Sequence, residues 1–161
     1  MADQNVGDTE NIGRRGKSLD ELRRQRSEVR QSQTYKSFLK DLCRTGGWDE
    51  QKAEKAAVSV LCLLEQRIVS GEAADLEAQL PRKLVSLLNR CERHENLSQR
   101  DLNAEKFLEL VAEDMGTDKP EAETILHAVF QTLRERVDEG EIEQVINQLP
   151  ADLRMYWQPS A

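Results

Sequence analysis

Fifteen positions between residues 38 and 84 hold the same amino acid as the position 69 residues further along, in a register that needs no gap. Roughly three or four such identities would arise by chance over a window of this length, so the chain carries an internal duplication. The landmarks are Arg67, Gly71, Glu72 and Gln79-Leu80-Pro81, answered by Arg136, Gly140, Glu141 and Gln148-Leu149-Pro150. A duplication of this period restricts the chain to two copies of one supersecondary unit that share a core.

Each copy reads as four helices. The first carries Phe38, Leu39, Leu42 and Cys43, matched by Phe107, Leu108, Val111 and Ala112. Their i, i+1, i+4, i+5 spacing places them on one helix face. Gly46-Gly47 and Gly116 are suited to end it, and Asp49 and Asp118 to cap the next helix. That second helix is the spine. Ala53, Ala56, Ala57, Val60, Leu61, Leu64 and Ile68 form an unbroken apolar stripe, repeated by Ala122, Ile125, Leu126, Val129, Phe130, Leu133 and Val137. Small residues in one copy answer large ones in the other, which lets facing spines interdigitate. Gly71 and Gly140 are expected to end the spines. Glu72 and Glu141 come directly after, in the first turn of a third helix, where a carboxylate meets unpaired N–H groups. Pro81 and Pro150 break that helix and open a fourth, with Leu84, Leu87 and Leu88, or Leu153, Tyr156 and Trp157.

The expectation is an all-α chain with two tandem four-helix repeats packed as one pseudo-symmetric domain over residues 36–157. Repeat one spans 36–91 and repeat two 105–157, and polar residues 92–103 link them. A flexible tail, 1–35, comes first. Residues 1–17 read as disordered because they contain almost nothing apolar. Ser18 and Glu21 make a capping-box pattern, and Leu19, Leu22 and Val29 give a thin apolar line for a helix over 19–31.

Charge is unevenly placed. The chain carries a net −7. Residues 101–161 hold fourteen acidic residues against five basic ones, whereas Arg14 to Arg30 is locally +4. That basic stretch could touch nucleic acid or anionic lipid, but Asp20, Glu21 and Glu28 dilute it, no aromatic is interleaved and the body is acidic. A protein partner, engaged through Arg23, Arg24 and Arg26, fits the pattern better than nucleic acid. Cys43, Cys62 and Cys91 form no CxxC pair, and their odd number argues against a disulfide framework. A reducing, cytoplasmic compartment is expected, without signal peptide or membrane span.

The joint pattern resembles the bacterial family known as domain of unknown function 2267. It consists of two spines ending in Leu-x-x-Arg (Leu64 to Arg67, Leu133 to Arg136), a Gly-Glu turn, and Gln-Leu-Pro before a last helix. The resemblance covers about residues 36–157 and implies a compact all-helical domain. It brings no activity with it.

Few residues offer chemistry. Arg67 and Arg136 sit near the spine C-termini, where they either meet the helix dipole, a carbonyl or the nearby glutamate, or form two equivalent anion sites; the structural role is the simpler. Gln79 and Gln148 are placed to bond backbone groups freed by the prolines. The Cys91 to Glu95 run with His94 lacks the second pair that a zinc site needs, and Glu123 with His127 has E-x3-H spacing rather than the E-x2-H of helical di-iron sites. No phosphate loop, dinucleotide fingerprint or nucleophile elbow occurs, so no catalytic residue and no cofactor is assigned. Tyr156 and Trp157 either close the core or form an interface. The composite reading is a non-enzymatic protein-interaction or scaffold module of unknown oligomeric state. The alternative is a small-ligand or lipid binder, or an enzyme, with a pocket between the repeats.

Overall fold

The structure is a computed structural model that describes residues 18–91 and 102–158. The expected disorder of 1–17, most of the linker, and His94 with its neighbours lie outside the described residues. The described chain is helical throughout: α1 (Leu19–Gly46), α2 (Glu50–Arg67), α3 (Ser70–Ala78), α4 (Arg82–Asn89), α5 (Ala104–Met115), α6 (Lys119–Arg136), α7 (Glu139–Asn147) and α8 (Ala151–Arg154), then a 3₁₀ turn, Met155–Trp157. No strand occurs among the described residues. The bounds of α2 and α6, and of α3 and α7, differ by the 69-residue offset of the duplication.

The chain divides into two compact units, residues 1–33 and 34–161. In the first, the described residues are helical, Ser18 Oγ accepts from the Glu21 N–H at 3.2 Å, and Leu19 and Val29 are exposed. The helix expected over 19–31 and the short helix beginning repeat one are a single element of 28 residues. The apolar periodicity lapses between Val29 and Tyr35, but no glycine or proline interrupts residues 17–45, so nothing stops the helix.

In the second unit the glycine stops act as expected. Gly47 and Gly116 take left-handed φ values of 71° and 62°. The N–H groups of Trp48 and Thr117 then reach back to the carbonyls of Cys43 and Ala112 at 3.1 and 2.9 Å, closing each helix in a Schellman pattern. Asp49 and Asp118 cap the spines by accepting from Lys52 N and Glu121 N at 2.8 and 3.0 Å.

The spines are the centre of the core. Ala53, Ala56, Ala57, Val60, Leu61 and Leu64 of α2 have no exposed surface, nor do Ala122, Ile125, Leu126, Val129, Phe130 and Leu133 of α6. Burial extends beyond the stripe to Ser59, Cys62 and Leu63 in α2 and to Ala128 and Thr132 in α6. A helix covered on so much of its circumference needs neighbours on several sides. α2 is packed by α4, α5 and α6, and α6 by α2, α5, α7 and the 3₁₀ turn. The two buried hydroxyls in this shell are satisfied: Thr132 Oγ1 donates to the Ala128 carbonyl at 2.9 Å, and Ser59 Oγ to Asp114 at 2.7 Å.

Two expectations need correction. Gly71 and Gly140 do not end the spines. The spines stop at Arg67 and Arg136, with Ile68 and Val137 extended, and the glycines lie inside the first turns of α3 and α7 without left-handed φ. Gln79 and Gln148 do bond backbone groups, but not beside their own prolines. Gln148 Oε1 accepts from Val69 N at 2.8 Å, and Gln79 Oε1 from Asp138 N at 2.6 Å. Val69 and Asp138 are the N-caps of α3 and α7, and neither helix has a side-chain cap of its own. Each copy thus supplies the N-terminal partner for the third helix of the other, which draws α3 against α7.

Leu64→Ala and Leu133→Ala are each expected to destabilise the protein by about 2–5 kcal/mol, the range for leucines with no exposed surface. Urea unfolding measures this, and a loss below about 1 kcal/mol at either position would show that the spines are not the core.

Candidate functional site at the junction of the third helices

The exchanged glutamines bring the N-terminal turns of α3 and α7 together, and with them a group of acidic side chains. Glu72 and Asp75 stand one turn apart on α3, and Glu141 and Gln144 hold the equivalent positions on α7. One carboxylate oxygen from each of Glu72, Asp75 and Glu141 lies within 4.8 Å of the others. Gln144, with its amide nitrogen turned toward Glu72, donates to Oε1 at 2.9 Å and Oε2 at 3.3 Å.

Glu141 is the buried member, 9% exposed, and its Oε1 has no hydrogen-bond partner. Burial pushes its carboxyl up to about 7, helped by a hydrogen bond with Glu72 and by the negative charges of Glu72, Asp75 and Asp138. The sequence places Glu72 and Glu141 in first turns, as found, but assigns them to helix N–H groups. They meet each other instead. The signal was present as E-x-x-D in one copy and E-x-x-Q in the other, yet nothing in a linear sequence says that α3 and α7 face one another.

A second carboxyl pair, Glu65 on α2 and Glu77 on α3, borders an open groove with Gln66, Ser70 and Ala73. Glu65 Oε1 is buried without a partner, and burial followed by a hydrogen bond to Glu77 pushes Glu65 up to about 8.

The paired arginines are not equivalent. Arg136 Nε donates to Asp41 Oδ2 at 3.0 Å and Nη2 to Ser37 Oγ at 2.5 Å, while the guanidinium lies over the Phe38 ring at 5.8 Å. It fastens α6 to α1. Arg67 has a buried Nε with no hydrogen-bond partner. The register accounts for the difference, since Leu110 and Lys106 occupy the positions equivalent to Asp41 and Ser37.

Trp157 is buried and stacked on Phe130, with centroids 4.1 Å apart and an interplanar angle of 14°. Arg134 donates to its carbonyl, although its Nε1 has no partner. Tyr156 is half-buried, 4.9 Å from the His127 ring, and donates to Glu123 at 3.4 Å. Tyr156, Trp157, His127 and Arg134, with Gln131 and Glu135, line a cleft of about 210 Å³. Arg23, Arg24 and Arg26 are exposed on α1 in the other unit.

An all-helical domain with two buried spines and reciprocally capped third helices is the class these features define. A family model described as uncharacterized conserved protein (DUF2267) matches residues 35–156, and the chain belongs to that family. No curated protein matches it.

The asymmetry of the arginines gives one expected result: Arg136→Ala lowers stability by about 1–3 kcal/mol, as for hydrogen bonds to charged groups, and Arg67→Ala costs clearly less. Thermal melts of the two variants check the order.

The carboxyl pairs give another. A carboxyl raised in the folded state stabilises below its unfolded pKa near 4.5 and loses that contribution as pH rises through the folded value, about 8 for Glu65 and about 7 for Glu141. The melting temperature is therefore expected to fall between about pH 5 and pH 9. Glu65→Gln should flatten that decline; an unchanged pH profile would show that Glu65 ionises normally.

Proposed function

We propose that the protein is a non-enzymatic protein-interaction module, working in the cytoplasm, whose N-terminal helical segment docks on an acidic protein surface. The observation that carries this reading is the surface of α1 over residues 19–29. Leu19 is 72% and Val29 56% exposed, on a helix that also displays Arg23, Arg24 and Arg26. The same stretch holds Asp20, Glu21 and Glu28, so the partner is selected by the exposed arginines beside these apolar side chains rather than by net charge, and an apolar patch bordered by carboxylates suits them. The second repeat of another copy has that charge, with fourteen acidic residues against five basic ones over 101–161. We take it as the occupant.

The ligand-binding alternative has less support. The spines meet through apolar side chains with no exposed surface. The cleft beside Tyr156 and Trp157, about 210 Å³, is smaller than the roughly 300–1,000 Å³ of typical small-molecule sites, and the groove beside Glu65 and Glu77, about 420 Å³, is open and lined by repeat one, so neither is a pocket between the repeats. Among the described residues no helix is long and apolar enough to cross a membrane.

Sedimentation velocity tests the proposal. At low ionic strength the full chain should sediment as a concentration-dependent larger species. It should return to the monomer mass in high salt, because exposed charges are screened within about 8–10 Å near physiological ionic strength. Reversing Arg23, Arg24 and Arg26 to Glu should abolish the association without moving the melting temperature of the body. A constant monomer mass at both salts would overturn it.

A further inference from the structure

We propose that the junction of α3 and α7 binds one hard divalent cation, of the Ca²⁺ or Mn²⁺ type, through the carboxylates of Glu72, Asp75 and Glu141. Three side-chain oxygens from two helices already lie within 4.8 Å of one another, close enough to share one ion. All are carboxylate oxygens, with neither sulfur nor imidazole in the set, and that donor chemistry selects hard cations rather than zinc or copper.

Glu141 sets this group apart from an ordinary acidic patch. Solvated carboxylates on a surface need no ion, because water satisfies them. Glu141 is 9% exposed, it points into the cluster, and its Oε1 accepts no hydrogen bond from protein. An oxygen that has lost water and gained no donor costs free energy unless a cation or a proton takes the donor's place. Each charged neighbour acting on it, Glu72, Asp75 and Asp138, is itself acidic. Gln144 supplies the neutral member: its amide lies against Glu72, and turning it by half a rotation presents Oε1 as a fourth oxygen. Asp75 is exposed, which leaves room for water to complete the six to eight oxygens that Ca²⁺ takes. An ion here would neutralise the repulsion between the two third helices and clamp one copy to the other at a point remote in sequence from both spines.

The rival occupant is a proton shared between Glu72 and Glu141, and the experiment separates the two. The full chain is stripped with EDTA, dialysed, and titrated at pH 7.5 with Ca²⁺ by calorimetry and with Mn²⁺ by electron paramagnetic resonance. One site per chain is expected, with a dissociation constant between about 10 µM and 1 mM, the weaker part of the range for oxygen cages. Ca²⁺ should also raise the melting temperature. Glu141→Gln is expected to weaken binding by at least about tenfold, the lower end of what loss of even an outer hydrogen-bond partner of a ligand costs, while raising the melting temperature in EDTA. Glu143→Gln, which removes an exposed charge from the same helix outside the cluster, should bind as the wild type does. If Glu141→Gln does not fold, Asp75→Asn, at an exposed position, carries the same expected loss.

Three results overturn the proposal. One is the absence of saturable one-to-one binding of either ion up to about 5 mM, roughly fivefold above the weakest Ca²⁺ dissociation constants, which assigns the cluster to the shared proton. Another is Glu141→Gln, or Asp75→Asn in its place, binding as tightly as the wild type. The third is Glu143→Gln losing as much as the cluster variant.

Discussion

Two helices of eighteen residues are hidden along most of their length, and the remaining elements are arranged to hide them. An isolated helix of that length, with alanine at Ala53, Ala56 and Ala57 on its inner face, has little apolar surface with which to hold a single partner. It gains stability only when it is surrounded. This explains why α5, the first helix of the second copy, packs on both spines rather than on its own alone. It also explains why small residues of α2 answer Ile125 and Leu126 in α6: facing helices fill space when large side chains oppose small ones. The short outer helices form the rest of the shell, and their ends fall at the edges of the spines, where polar groups collect.

Those edges are where the two copies diverge. The same register position holds Asp41 in one and Leu110 in the other, and the consequence is one arginine engaged in a charged network and one half-buried with an unpaired Nε. Likewise, Val58, Cys62, Leu87 and Leu88 stand where the second copy has His127, Gln131, Tyr156 and Trp157. The cleft bordered by the aromatic pair therefore has no counterpart of the same chemistry. The spine positions are apolar in both copies although their volumes differ, whereas edge positions differ in charge and polarity.

Legibility in the chain divides along the same line. The spine stripe, the Asp49 and Asp118 caps and the Gly47 and Gly116 stops are local, because periodicity, a side-chain acceptor and a missing Cβ act within a few residues. The 69-residue register supplies the equivalence of the copies and with it the fold class. It does not disclose which surfaces of the copies meet. Gln79 is recognisable as a partner for backbone N–H groups, but its acceptor oxygen serves Asp138, 59 residues away. Glu72 and Glu141 stand out as equivalents, yet their contact depends on α3 lying against α7. The continuity of α1 is hidden for a different reason: the apolar rhythm lapses as it would at a break, while the chemistry that breaks helices is absent.

The contact between equivalent positions sets a limit on how alike the copies can become. Lys52 reaches Glu121 at 3.2 Å, and these residues are separated by the 69-residue offset of the duplication. In a chain made of two identical copies, position 52 would face itself, and no charged residue is its own complement. Lys52 facing Glu121 is a pair that only unlike copies can make. Glu72 facing Glu141 is the outcome where the copies stayed alike. A single polypeptide can therefore hold, at its internal axis, a complementarity that a symmetric pair of identical half-length chains could not encode.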